Sequence, residues 1–215
     1  MQNVMKKVCC CTGHRPQGFV WDYYDKNLVE HQGYLMRLAY FVEKFVEEGY
    51  DCFVSGGAIG ADMDFAEIAI RLKKKYPHIR LEIVVPCAHQ DRMWRPQDKA
   101  RYQSILQQAD EVTVLFSRYT PWCYDRRNHY MVDKSDLVLA VWNGEKIGGT
   151  YQTKKYAEKT GKQLECILLP PKNADEEIRF HYLIENGVTL EDVKKKDEGI
   201  KKVLKALEER ERENH

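Results

Sequence analysis

Two stretches of this chain are apolar at consecutive positions rather than at alternate ones: Val8-Cys9-Cys10-Cys11 and Leu137-Val138-Leu139-Ala140-Val141-Trp142. Successive side chains of a strand point to opposite faces of a sheet, so strands of this kind need cover on both sides. The segments between such runs change to helical spacing. Over 28–48 the apolar residues Leu35, Leu38, Ala39, Val42 and Val46 mark one helix face, and Gly49 closes it. The same reading predicts strands over 4–11, 52–54, 81–85, 111–116, 137–142 and 164–169. It predicts helices over 28–48, 61–75, 96–109, 126–134 and 150–160, the last ended by Gly161. Regular alternation of both-face strands with amphipathic helices predicts an α/β fold: a doubly wound, mostly parallel sheet with helices on both faces.

Pro170-Pro171 marks a change in composition. From Lys172 onward 10 Lys+Arg and 12 Asp+Glu occur in 44 residues, whereas the whole chain balances 34 against 33 for a net charge of +1. We therefore expect a domain over 1–170 and a charged helical extension over 171–215. Within the extension a short helix is expected over 175–185. Thr189-Leu190-Glu191-Asp192 resembles a capping box ahead of a last helix with an apolar stripe of Val193, Ile200, Val203, Leu204 and Leu207. The charge balance argues against nucleic acid as a partner, and no 18-residue apolar run points to a membrane. Seven Cys without metal-ligand spacing or a signal peptide are expected as buried, reduced thiols of a cytoplasmic protein. No motif calls for a metal or a cofactor.

In an open parallel sheet, ligands sit beyond the carboxyl ends of the strands, near the place where strand order reverses. Three polar, Gly-containing turns are expected on that edge: Thr12-Gly13-His14-Arg15-Pro16, the run Ser55-Gly56-Gly57-Ala58-Ile59-Gly60-Ala61-Asp62, and the run from Asn143 through Gly148-Gly149-Thr150. Glycines let a backbone approach an anion closely, and a helix starting just after them aims free N–H groups at it. Ser55 and Thr150 add hydroxyls, and Arg15 adds a guanidinium. The spacing is neither Gly-x-Gly-x-x-Gly nor Gly-Lys-Ser/Thr, which argues against ordinary dinucleotide dehydrogenases and Walker-type ATPases. His14 and Asp62 are the candidate acid–base groups, with Asp64 and Glu67 as further carboxylates at a helix start. Arg126-Arg127-Asn128 is expected to open a helix, where cationic side chains oppose the dipole and so point to an anion above the sheet edge. Arg92, Trp94 and Arg95 are assigned to the same edge.

Taken together, Thr-Gly-His-Arg-Pro at 12–16, Ser-Gly-Gly-Ala-x-Gly-Ala-Asp at 55–62, Arg-Asn-x-x-Met-Val-Asp-x-Ser-Asp at 127–136 and Gly-Gly-Thr at 148–150 resemble the SLOG superfamily, most closely its YpsA/YoqJ-type branch. The resemblance spans about 4–169 and implies a Rossmann-like fold that binds nucleotides or their derivatives. Among the wider relatives, the LOG-type phosphoribohydrolases are matched at Arg127 and at Gly149-Thr150. Thr153 occupies the place of their catalytic Glu, so the carboxylate that would activate water is missing. The DNA-processing protein DprA is matched over 55–62 and at Arg127-Asn128, with His129 in place of a second Arg.

The expected function is binding of a nucleotide or nucleotide-derived ligand, NAD- or ADP-ribose-like, as a sensor. The site would draw on Thr12, Gly13, His14, Arg15, Ser55, Gly56, Gly57, Gly60, Asp62, Arg127, Asn128, Gly148, Gly149 and Thr150. One alternative is a hydrolase or transferase acting at a glycosidic or phosphate bond through His14 or Asp62. The other is a DprA-like single-stranded DNA module. A homodimer through helices beside the sheet is an option that the resemblance opens.

Overall fold

The computed structural model describes residues 6–175, 178, 179, 181 and 182. Along the chain run β1 (Lys7–Gly13), α1 (Val29–Glu47), β2 (Tyr50–Ser55), α2 (Ala61–Leu72), β3 (Arg80–Val85), α3 (Pro96–Gln108), β4 (Glu111–Val114), α4 (Cys123–Lys134), β5 (Leu137–Trp142), α5 (Gly148–Lys159) and β6 (Gln163–Leu168). The strands form one sheet in the order β4-β3-β2-β1-β5-β6, and every neighbouring pair is parallel. The doubly wound α/β arrangement expected from the apolar runs is therefore the observed one. Its burial follows position in the sheet. The inner strands β1, β2, β3 and β5 are buried over most of their length, whereas the edge strands β4 and β6 are largely open.

Connections between parallel strands are right-handed, so the direction of travel across the sheet decides which face a helix covers. The chain moves outward from β1 to β4 through α1, α2 and α3, then returns past β1 to β5 and β6 through α4 and α5. The two helix groups consequently lie on opposite faces. Two apolar clusters record this division. The larger joins Leu38, Val42, Phe45, Phe65, Ile68 and Ile105 to the sheet, and the smaller joins Met131, Val132 and Ala157 to its other face. The cysteine triplet of β1 alternates between them: Cys9 and Cys11 belong to the larger cluster and Cys10 to the smaller. All three are fully buried on the central strand. Burial pushes the Cys10 thiol up to about 12 and raises Cys9 and Cys11 well above the usual thiol value.

One element departs from expectation in a way that matters for the site. Helix α4 begins at Cys123, not near Arg126, so Arg126 and Arg127 lie one turn inside it and Asp125 occupies the first turn. No unfavourable arginine stands at that helix terminus. Helix α5 begins at Gly148, so Gly148-Gly149-Thr150 is itself the first helical turn.

Among its described residues, the chain beyond Pro170-Pro171 touches the sheet domain at Lys172, Arg179 and Tyr182. Lys172 pairs with Glu145 at 3.5 Å, Arg179 pairs with the fully buried Glu30, and Tyr182 packs on Trp21 with ring centroids 5.9 Å apart. The expected capping box at 189–192 and the apolar stripe from Val193 to Leu207 lie outside the described residues.

Candidate functional site

Strand order reverses between β1 and β5, and the loops that follow them leave toward opposite faces, opening a crevice between them. A cavity of about 380 Å³ occupies it, within the range of small-ligand sites. Both rims are pinned. The His14 backbone N–H donates to the Val141 carbonyl at 3.2 Å, and the Asn143 amide donates to the Gly18 carbonyl at 3.2 Å. Asn143 also accepts from the Glu145 backbone N–H at 3.1 Å, which shapes the loop leading into α5.

The cavity brings together Thr12, Gly13, His14 and Arg15 from the end of β1, Asp62 from α2, Arg127 and Asn128 from α4, and Gly148, Gly149 and Thr150 from α5. The N-terminus of α5 opens into it. Ile147, the residue before the helix, provides no side-chain cap, so the first N–H groups of α5 are free for an anion. The Asn128 amide nitrogen lies beside Gly149, 3.8 Å from where a Cβ would stand, and adds a donor at the same place.

Below the rim, Arg127 donates from Nη1 to Asp62 Oδ2 at 3.2 Å, and both side chains are more than nine-tenths buried. Burial pushes the Asp62 carboxyl up, and Arg127 and then Arg15 pull it back only in part. Arg127 Nε is buried without a hydrogen-bond partner, as is Nε2 of His14. Burial also holds the His14 imidazole below its usual value, against the opposing pull of Asn143 and Glu145.

The second Gly-containing turn takes a different place. Ser55, Gly56, Gly57 and Gly60 do not line the cavity; Ala58 and Asp62 of that run do. Ser55 Oγ donates to the Asp62 carbonyl at 2.7 Å and accepts from the Gly57 N–H at 3.2 Å. A Cβ on Gly56 would overlap the Arg127 guanidinium, so this glycine gives Arg127 its berth. Gly60 has φ +112 and lies against the His14 carbonyl, which accepts the Ala61 N–H at 3.1 Å.

Other candidates are drawn elsewhere. Asp64 accepts from Tyr23, Tyr34 and Arg101, and Arg101 also holds Glu67 at 2.7 Å, so these carboxylates serve the packing of α2 on α3. Trp94 packs on Tyr102, and Arg95 pairs with Asp98 and stacks on Tyr24. Of the five arginines assigned to this edge, only Arg15 and Arg127 line the cavity. Thr153, which lines it one turn along α5, donates to the Gly149 carbonyl at 2.8 Å and has no acid–base capacity. Sequence reasoning missed Tyr124, Glu145 and Lys172, all of which line the cavity. Tyr124 was within reach: positions 124, 127, 128 and 131 share one face at the i, i+3, i+4, i+7 spacing once the helix start is placed correctly. Among the described residues no cluster of His, Cys, Asp and Glu gathers to hold a metal ion, and no helix is long and apolar enough to cross a membrane.

The motifs at 12–16, 55–62, 127–136 and 148–150 thus converge on one crevice and on the buried Arg127–Asp62 pair beneath it. The family model described as the YspA SLOG family (YpsA) matches residues 9–170, the sheet domain almost end to end. The chain belongs to this SLOG family. Its similarity to the uncharacterized SPbeta prophage-derived protein YoqJ of Bacillus subtilis (strain 168) is 34% identity over 141 residues, 59% of this chain and 82% of that protein. A UPF0398 protein of Bacillus cereus (strain B4264) is 30% identical over 120 residues, 55% of this chain and 65% of its own length, and one from Bacillus thuringiensis (strain Al Hakam) has the same identity and coverage. The chain thus spans slightly under two thirds of these UPF0398 relatives. SLOG membership points to a nucleotide-related function.

Proposed function

We propose that the chain binds a nucleotide or nucleotide-derived ligand in the β1/β5 crevice, with a phosphate at the N-terminus of α5. The observation that carries this reading is the pairing of an uncapped helix start with a buried guanidinium whose Nε has no partner, both lining one cavity. Gly148, Gly149 and Thr150 would cradle the phosphate, Asn128 would donate beside them, and Arg15 and Arg127 would balance its charge. Gly13 lets Ala61 and Val141 pack against the end of β1, where a Cβ would clash with both, and Thr12 and His14 would meet the ribose. Asp62 holds Arg127 in place. Ser55, Gly56, Gly57 and Gly60 act on the ligand through that frame.

Thermal shift with AMP, ADP-ribose and NAD, and with adenosine as the phosphate-free control, tests the reading. A ligand at 100 times its Kd adds about 2.7 kcal/mol of stability. We expect a shift with a phosphorylated ligand and none with adenosine. Gly149→Asp separates binding from folding. A carboxylate in the first turn favours the helix dipole yet repels an anion, so Tm holds or rises while the ligand shift disappears. No shift with any phosphorylated compound in folded protein overturns the proposal.

A hydrolase reading has one specific observation behind it, the His14 imidazole, whose Nε2 is unpartnered in the cavity and whose protonated form burial disfavours. A neutral imidazole there fits a general base. The same samples decide it: base or phosphate release that His14→Ala removes while binding survives marks an enzyme, and binding without release marks a sensor.

A further inference from the structure

Away from the crevice, the segment between β1 and α1 holds a contact whose proton count does not balance with ordinary charges. Trp21 Nε1 donates to His31 Nδ1 at 3.2 Å, and Lys26 Nζ lies 3.0 Å from His31 Nε2. His31 is fully buried. An indole N–H can only donate, so Nδ1 must carry the lone pair, and a neutral imidazole then carries its single proton on Nε2. That N–H points at Lys26. An ammonium has three donors and no acceptor, so the contact is a hydrogen bond only if Nζ has a lone pair. The reverse assignment, with Nε2 accepting from an ammonium, sets an Nδ1–H against the indole N–H across 3.2 Å and leaves a buried donor unmet.

The surroundings agree. The nearest carboxylates already have cations: Asp64 and Glu67 on α2 are held by Arg101, and Asp98 on α3 is held by Arg95. Asp25, beside Lys26 in the same loop, accepts from the Asn27 backbone N–H at 2.9 Å. The Tyr23 ring face, 3.9 Å from the Lys26 nitrogen, pulls the other way by favouring a cation, while Arg101, which donates to Tyr23 at 2.8 Å, brings a like charge close. Burial lowers Lys26 from its usual value, with Asp64, Glu67 and Asp98 opposing and Arg101 assisting. Burial, the largest cause, brings His31 down to about 4, so its ring carries one proton at pH 7. Lys26 as a residue is nevertheless exposed, so a small reagent can reach it.

We propose that the Trp21–His31 pair favours the free-amine form of Lys26 and makes it a nucleophilic site for small carbonyl compounds. The Nζ lone pair adds to the carbonyl carbon, the two amine hydrogens leave with the carbonyl oxygen as water, and a C=N bond replaces C=O. No oxidant or reductant is consumed. Lys26 does not line the crevice, so this site is separate from the anion cradle.

The test is site-resolved labelling of the full chain by pyridoxal, which has no phosphate to engage the crevice. Borohydride traps the imine, and peptide mass spectrometry reads each lysine between pH 6 and 11. At pH 7 we expect Lys26 to react at least about tenfold faster than the exposed Lys155 and Lys159, since each unit of lowered pKa multiplies the free amine by ten. Trp21→Phe keeps an aromatic ring and removes the N–H; His31 can then protonate Nδ1 and accept from an ammonium, and the Lys26 rate should fall to that of the comparison lysines. The proposal is overturned if wild-type Lys26 reacts no faster than Lys155, or if folded Trp21→Phe leaves the Lys26 rate unchanged. Should that variant not fold, the wild-type profile decides alone: a Lys26 midpoint below those of the comparison lysines supports the proposal, and one coincident with theirs overturns it.

Discussion

Asp62 and Arg127 set the floor of the crevice, and Gly56, outside its lining, leaves room for the Arg127 guanidinium. Breaking a buried ion pair by removing one partner costs about 3–5 kcal/mol, because the other charge stays buried and unpaired. Arg127→Met should therefore destabilise the protein by about 3 kcal/mol or more at pH 7 in urea unfolding. Gly56→Ala, which displaces the same guanidinium, should act in the same direction. The pH dependence has a definite sign. Asp62 is raised in the folded state, so its contribution to stability is present at low pH and lost as pH rises through the folded value. Without Arg127 that value climbs further, so the deficit of Arg127→Met should shrink as pH is lowered from 7 toward about 4; a deficit constant with pH would refute the pairing. The sequence made Arg127 and the glycine turns legible as unusual residues. It did not disclose their relation. Asp62 and Arg127 are separated by 65 positions, and a carboxylate in the first turn of a helix already has a local reason to be there. The same ambiguity concealed the role of Asp64, which structure assigns to Tyr23, Tyr34 and Arg101.

Helix α4 shows how one element serves two tasks. Its face with Tyr124, Arg127, Asn128 and Met131 lines the crevice, while Met131 and Val132 bury against the sheet and Lys134 pairs with the buried Glu82. The smaller apolar cluster has few members, so each weighs heavily. Val132→Ala removes two methyl groups from a fully buried site and should cost about 2 kcal/mol, read by urea melts. In hydrogen exchange the added opening should appear in α4 before α1 or α2, and uniform loosening would count against this division. Most elements were readable from apolar periodicity, with ends shifted by a few residues. The start of α4 was not, because Cys123-Tyr124-Asp125 carries little helical pattern. Pro121, just upstream, was the available punctuation.

At the scale of the whole molecule, the chain beyond Pro170-Pro171 is tied to both the crevice and α1. Lys172 lines the cavity, and Arg179 neutralises Glu30 at the start of α1. Arg179→Met should lower stability by about 3 kcal/mol by stranding Glu30, and adding Glu30→Gln should recover much of it. If the double variant is as unstable as the single one, the cost lies in lost packing. This coupling was not legible in sequence: the composition break advertises a separate extension, while Glu30 and Arg179 are separated by 149 positions. The cysteine triplet of β1 has a consequence of another kind. Its three thiols face both clusters from the central strand and are held protonated, so a thiol reagent meets them only when the sheet itself comes apart. The rate at which Cys9, Cys10 and Cys11 become modified under native conditions is then an internal clock for global opening, carried by the chain without any introduced label.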